Sequence, residues 1–215
     1  IDMLLALHAS GKVGQLGECD LSIEEIDALT RRLATYTRQG HFRRIWSDEA
    51  DVVDAMCRDE PVIGSLWWSG LTQLRAMGVS ANMVTPTEGY RGWFGGLAIS
   101  RCASDWALDA AYDYLNWWLE GRPGALMARA GAYMANPTAV RAHMTEAEWA
   151  FWYEGAPAAE DIRDPEGCVI FPAGTRREGG GYAERMSRVR VWDTVMGEHN
   201  YLVRRWEDAL RGRAR

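Results

Sequence analysis

Between residues 22 and 86 the chain alternates two hydrophobic periods, and this alternation limits its possible folds more than any other feature. Ser22-Ile23-Glu24-Glu25 is a capping box: the serine hydroxyl takes an orphan helix N–H, and the glutamate three residues on reaches back to the serine's own N–H. Ile26, Leu29, Leu33 and Tyr36 follow at helical spacing until Gly40, which predicts an amphipathic helix. Residues 42–46 read as a short strand. Ser47, followed by Asp48, Glu49 and Asp51, supplies a cap and first-turn acids for a helix through Val52, Val53 and Met56. Residues 62–67 are apolar enough for a strand covered on both faces, 71–77 suit a short helix, and 83–85 before Pro86 suit a third strand. The resulting βαβαβ order predicts an α/β fold with a mostly parallel sheet.

After Asp105 the pattern turns helical. Residues 106–120 form one predicted helix, Pro123 opens another at a first helical position, and Asn136-Pro137 breaks the chain. Residues 156–181, rich in Gly, Pro and charge, read as a long surface excursion. Residues 182–210, with Met186, Val189, Trp192, Val195, Tyr201, Leu202 and Trp206, read as one long helix.

With 215 residues, 47% of them hydrophobic, the chain can bury a real core. Its net charge is -6 and its basic residues are dispersed, which argues against nucleic acid or an anionic membrane as partner. No apolar run approaches the ~20 residues of a membrane-spanning helix. Residues 1–7 do not make a signal peptide, and the chain starts at Ile1 without an initiator methionine, so the N-terminus is read as cut. Cys19, Cys57, Cys102 and Cys168 have no zinc-type spacing, and every disulfide pairing, like the free thiols, stays open. Eleven tryptophans exceed the needs of a core this size, so several are expected to line a site.

Signatures of catalysis are missing. H-E-x-x-H, G-x-S-x-G, the P-loop and S-x-x-K do not occur, and Gly11, Gly14 and Gly17 suit a flexible loop rather than a dinucleotide fingerprint. His8, His41, His143 and His199 fall in different elements, and the adjacent acids Glu24-Glu25 and Asp48-Glu49 are explained as solvated helix N-termini. The expectation is a binder without catalytic residues, metal site or cofactor.

What remains are aromatic and glycine clusters at element ends: Gly64-Ser65-Leu66-Trp67-Trp68-Ser69-Gly70, and the run from Pro86-Thr87-Glu88-Gly89-Tyr90 through Trp93-Phe94-Gly95-Gly96 to Ile99. The first resembles a short strand ending in tryptophan at a ligand cleft. The second resembles the P-x-E-G…W-x-D-x-L-A-I hinge strand of the extracytoplasmic solute-binding proteins of bacterial ABC transporters, in their spermidine/putrescine-binding class. Ala6-Leu7-His8, the N-W-W-L-E-G-R-P run from Asn116, Gly131-Ala132-Tyr133…Pro137 and the closing stretch 199–212 resemble further landmarks of that family in the same order.

This resemblance implies a type II periplasmic-binding-protein fold, mostly lobe two with part of lobe one, and without the N-terminal part of lobe one. Residues 1–94 would open lobe two, 95–135 would cross into lobe one, and 136–215 would return as a mainly helical part of lobe two. The ligand would meet Ser47, Trp67, Trp93 and Tyr133, with Trp68 and Gly95 beside them. Aromatic faces there suit an alkyl chain or an ammonium. Gly95 stands where polyamine binders carry an aspartate, and an ammonium desolvated without a counter-charge costs several kcal/mol, so a less cationic solute is expected. The implied partners are a small solute, a membrane permease, and another polypeptide or second copy that supplies the rest of lobe one and covers the aromatic helix of 95–135. The implied location is the periplasm. Two alternatives stay open, an interaction module with an exposed aromatic cleft and an enzyme on a similar scaffold.

Overall fold

The computed structural model describes residues 2–11, 20–58, 63–193 and 195–211. In chain order the elements are helices α1 (Asp2–Ala9), α2 (Ile23–Arg38), α3 (Glu49–Cys57) and α4 (Trp68–Ala76), then strand β1 (Tyr90–Gly92). Helices α5 (Asp105–Leu119), α6 (Arg122–Arg129), α7 (Pro137–Arg141) and α8 (Glu146–Trp149) follow, the last running into a wider π-turn over Ala150–Glu154. Strands β2 (Ile162–Arg163) and β3 (Val169–Phe171), helix α9 (Tyr182–Ser187), strand β4 (Val189–Trp192) and helix α10 (His199–Leu210) complete the chain. Among the described residues the protein is therefore a mixture of helix with two small sheets. It divides into two compact units, one of residues 1–45, 86–94 and 188–215, the other of 46–85 and 95–187.

Unit one is built on α2. Its capping box forms as the sequence predicts, with Ser22 Oγ accepting the Glu25 N–H at 3.3 Å and the Glu25 carboxylate accepting the Ser22 N–H at 2.8 Å. Ile26 and Leu29 pack with Leu4, Leu7, Leu21 and Met196, while Leu33 and Ala34 meet Ala209. Each such aliphatic side chain contributes ~1.5–3 kcal/mol on leaving water. Asp27 ties α2 to α10, accepting from the Tyr201 hydroxyl and Arg205 Nε, both at 2.8 Å. β1 pairs in parallel with β4, Tyr90 opposite Val189 and Gly92 opposite Trp192, with an irregularity after Tyr90. Gly89 precedes this pairing at φ +94°, and a Cβ there would lie 2.6 Å from the Arg188 carbonyl oxygen, so the approach needs glycine.

Unit two carries the larger core: Val140, Phe151, Trp152, Tyr153, Ile162, Ile170 and Phe171, with Trp68, Tyr133 and Tyr182 packed against it. The π-turn helps the consecutive residues Phe151, Trp152 and Tyr153 all to be buried, since its wider winding rotates successive side chains by a smaller angle than an α-turn does and keeps them nearer one face. The cap of α3 is Asp48, whose Oδ1 accepts the Ala50 N–H at 2.8 Å; it is not Ser47. A carboxylate holds that place because it adds charge–dipole attraction to the hydrogen bond. Glu49, read from sequence as a solvated first-turn acid, reaches the next helix instead, accepting the Trp67 N–H at 3.0 Å and the Ser69 hydroxyl at 2.7 Å.

Several expectations need correction. Residues 42–46, 63–67 and 83–85 form no strand ladder, and Ile63 and Val84 are 86% and 70% exposed where a strand covered on both faces would bury them. Short apolar runs say nothing of whether a neighbouring strand exists to pair with. Residues 156–181 are not a surface excursion: they carry the β2–β3 hairpin and bury Ala158, Ile162, Ile170, Phe171 and Arg177. Their glycines and prolines mark turns between buried positions. Residues 182–210 are not one helix, because Val189-Arg190-Val191-Trp192 alternates with period two and leaves the helical path as β4. Gly14, Gly17, Cys19, Val62 and Gly212 fall outside the described residues.

Candidate functional site

Arg177 stands at the centre of the most polar part of the unit-two core. It is 3% exposed, in a loop that runs from β3 to α9. Its guanidinium lies over the rings of Trp68, Trp152 and Tyr133, with its carbon 4.3, 4.7 and 5.0 Å from their centroids. Nη2 donates to the Gly131 carbonyl oxygen at 3.0 Å, and Nη1 donates to the Tyr133 hydroxyl. Tyr133 in turn donates to the Trp152 carbonyl oxygen at 3.0 Å. Burial pushes the guanidinium down to about 9, so it remains a cation at neutral pH. Aromatic faces replace part of the lost hydration at ~0.5–2 kcal/mol each.

The cage depends on one close backbone approach. Gly131 has φ +89°, and a Cβ on it would lie 2.6 Å from Trp68 Cβ. Only glycine lets the 131 carbonyl reach Arg177 while Trp68 packs against the same residue.

Two further cations flank the cage. Arg75 lies 4.4 Å from the Phe171 ring centroid and pairs with Glu178. Arg185 lies 5.0 Å from the Trp68 ring centroid and donates through Nη1 to the Glu178 carbonyl oxygen at 2.8 Å. Glu178 thus meets two of these cations, Arg75 through its carboxylate and Arg185 through its backbone carbonyl. Tyr133 meets Tyr153 and Tyr182 with ring centroids 5.2 and 4.8 Å apart. Burial pushes the Tyr153 hydroxyl up to about 12 and raises Tyr133 as well. Trp68, Tyr133 and Tyr182 are half-buried, above a floor of fully buried Trp152, Tyr153 and Arg177.

Several buried polar atoms in this cluster have no hydrogen-bond partner: Trp68 Nε1, Trp152 Nε1, Arg177 Nε, Arg75 Nη1, the Tyr153 hydroxyl and Glu178 Oε2. Each such atom costs ~1–3 kcal/mol, and native cores carry few of them. Four of these atoms are N–H donors only.

Of the residues expected to form a site, Trp68 and Tyr133 meet at Arg177. Trp67 is about half exposed and meets Trp46 edge-on at 6.3 Å. Ser47 and Gly95 are exposed in unit two, and Trp93 is exposed in unit one. Arg75, Arg177, Arg185 and Trp152 were not foreseen. The arginines are anonymous among 24 basic residues, and only the Phe151-Trp152-Tyr153 run hinted at an aromatic floor.

The cluster offers a buried cation and aromatic faces, and Arg177 with the phenols of Tyr133 and Tyr153 holds its protons at neutral pH, which makes these groups donors and poor general bases. Among the described residues no group of three His, Cys, Asp or Glu side chains is arranged to hold a metal ion. Cys57, Cys102 and Cys168 are exposed free thiols, and among the described residues no helix is long and apolar enough to cross a membrane. Compared with known proteins, the chain matches no family model, no curated protein and no solved structure.

Proposed function

We propose that this chain binds a small organic solute without transforming it, as the extracytoplasmic receptor of a transport system of the ABC type, with a type II periplasmic-binding-protein arrangement. The observation that carries this reading is the path of the chain. It passes between the two compact units at 45/46, 85/86, 94/95 and 187/188. Repeated crossings suit a hinged pair of lobes, in which a few linking segments absorb the change when ligand favours closure. The junctions at 85/86 and 94/95 bracket the stretch that resembles the family's hinge strand. A permease would read the closed form, and further protein, a separate polypeptide or a second copy, would complete the lobe that carries α5.

The test is thermal unfolding of the whole chain against amines, amino acids, carboxylates and sugars. A solute at a hundredfold excess over its Kd stabilises by about 2.7 kcal/mol, which raises Tm by ~5–10 °C at this size. If no small solute of any charge class moves Tm, this reading fails.

A second reading, a protein-interaction module, is favoured by α5. None of its side chains is buried, and Trp106, Tyr112, Tyr114, Trp117 and Leu119 are exposed on it beside Asp105, Asp109 and Asp113. Both readings put further protein on α5, so the solute response distinguishes them: a solute that raises Tm favours the receptor, and association seen by light scattering with no response to any solute favours the interaction module.

A further inference from the structure

We propose that α5 docks onto the arginine-bearing outer face of α2 in a second copy of this chain. The inference rests on the readings above only in that both place further protein on α5, and it names that protein. The make-up of the α5 face and the distribution of charge along the chain carry it.

α5 packs against α6 through one side alone. Ala107, Ala111, Leu115 and Trp118 are half-buried at helical spacing, while Trp106, Asp109, Asp113 and Trp117 are exposed on the opposite side. Trp106 is 79% exposed, and Trp117 is held by stacking on exposed Tyr114 with ring centroids 5.9 Å apart. With Tyr112, the four exposed rings leave roughly 500 Å² of aromatic surface in water, more than half of the ~800 Å² that each side of a standard interface buries. Tryptophan and tyrosine are also the residues that dominate binding energy at such interfaces.

Charge selects the occupant. Residues 102–121 hold four acids, Asp105, Asp109, Asp113 and Glu120, and no Lys, Arg or His. Among the described residues Asp109 and Asp113 have no ion pair. Two copies of this face laid together would set acid against acid, which disfavours pairing of α5 with itself. Residues 28–47 are the converse, with five arginines and no acid over the same length. Arg31 is turned to Asp27, and Arg44 has an interaction of its own, so neither is counted. Arg32, Arg38 and Arg43 are exposed and meet no carboxylate among the described residues; Arg38 donates to the Thr35 hydroxyl at 3.3 Å. Arg32 and Arg38 leave α2 on the side away from its buried Ile26, Leu29 and Leu33.

The same contrast runs through the whole units. Unit one has 14 basic and 11 acidic residues, a net +3, and unit two has 10 basic and 19 acidic, a net -9. A second copy therefore brings to α5 the charge that α5 lacks. Arginine is the cation suited to this face, because its planar guanidinium stacks on an indole while its forked donors pair with a carboxylate. Trp106, Asp109, Asp113 and Trp117 follow at spacings of three and four, so each indole has a carboxylate one helical turn away.

The experiment is sedimentation and light scattering of the whole chain over a wide range of concentration, in low and in high salt. Reversible association is expected, weakened ~10-fold or more by high salt. Two charge-reversed variants follow, Asp109→Arg with Asp113→Arg on α5, and Arg32→Glu with Arg38→Glu on α2. All four positions are exposed, and circular dichroism verifies that each variant is folded. Each variant alone is expected to associate at least ~100-fold more weakly, since like charges then face each other. An equal mixture of the two is expected to associate again, because every α5 then has an α2 of opposite charge. Trp106→Ala is expected to weaken association ~10-fold. A parent that stays monomeric in low salt overturns the inference, as does association that survives either reversal, a mixture that stays monomeric, or Trp106→Ala that associates like the parent. The solute response of Tm is read separately: a monomer stabilised by a solute overturns this inference and leaves the receptor reading standing, whereas charge-dependent assembly that answers no solute does the reverse.

Discussion

Arg177 donates to the carbonyl oxygen of Gly131, 46 residues earlier in the chain, at 3.0 Å. This bond joins the loop before α9 to the turn after α6, and the Tyr133 hydroxyl takes a second hydrogen from the same guanidinium. Replacing Arg177 by leucine keeps most of the volume but leaves the Gly131 carbonyl without this donor and the Tyr133 hydroxyl without its donor. Arg177→Leu is expected to lower the stability of unit two by roughly 2–4 kcal/mol in urea unfolding. Arg177→Lys keeps the charge and loses the planar fork, and is expected to lose about 2 kcal/mol. A Lys variant as stable as the parent would mean that charge alone, not the two-pronged donation, holds the loop.

Gly131→Ala tests the close approach to Trp68. The new methyl meets Trp68 Cβ at 2.6 Å and sits at φ +89°, so overpacking adds to backbone strain. The expected loss is about 2–5 kcal/mol, read as a drop in Tm. A change of a few tenths would show that Trp68 moves aside freely.

Tyr153 makes the opposite case. Its hydroxyl is buried without a partner, so Tyr153→Phe removes an unsatisfied group and is expected to be neutral or to stabilise by up to ~1 kcal/mol. The alkaline limb carries a second readout. The native hydroxyl is pushed up to about 12 from an ordinary 10.0, so the unfolded chain releases this proton first. Stability from Tyr153 is full below pH 10 and falls as pH rises towards 12. Tyr153→Phe is expected to flatten that fall in unfolding midpoints measured across the range, and an unchanged slope would place the loss in other groups.

The helices were legible in the sequence wherever a local signal sufficed. The Ser22/Glu25 box and the spacing from Ile26 to Leu33 need no knowledge of the rest of the chain, and α2 forms as they dictate. Pro123 in the first turn of α6 and Asn136 as the cap of α7 are equally local. Strands failed because pairing is a property of two segments: 42–46 and 83–85 have strand composition, yet the ladder joins 90–92 to 189–192 across some hundred residues. The site was half legible for the same reason. Trp68 and Tyr133 stood out as aromatics at element ends, whereas Arg177 lies in a Gly-rich, charged stretch that reads as solvated until Trp68, Tyr133 and Trp152 are seen to enclose it. No spacing rule links residue 177 to residues 68, 131 and 152.

Asp27 provides the acid-side prediction for unit one. The Tyr201 hydroxyl donates to its carboxylate, and Arg205 and Arg31 add attraction that outweighs partial burial, so its pKa lies below the ordinary 3.8. The folded protein therefore holds this proton less tightly than the unfolded chain does. The contribution of Asp27 to stability is present in full above the unfolded value and is lost as pH falls through the lower, folded one. Asp27→Asn removes the charge while keeping an acceptor for Tyr201, and is expected to cost about 1 kcal/mol at pH 7, the scale of a partly exposed charged hydrogen bond. Because the parent loses the same interaction in acid, parent and variant should converge as pH drops below 4, with the variant flatter across that window. Urea unfolding at intervals from pH 7 to pH 2, followed through unit-one signals, measures both curves. A constant offset between them at every pH would show that Asp27 acts through packing of α2 on α10, with its charge contributing nothing.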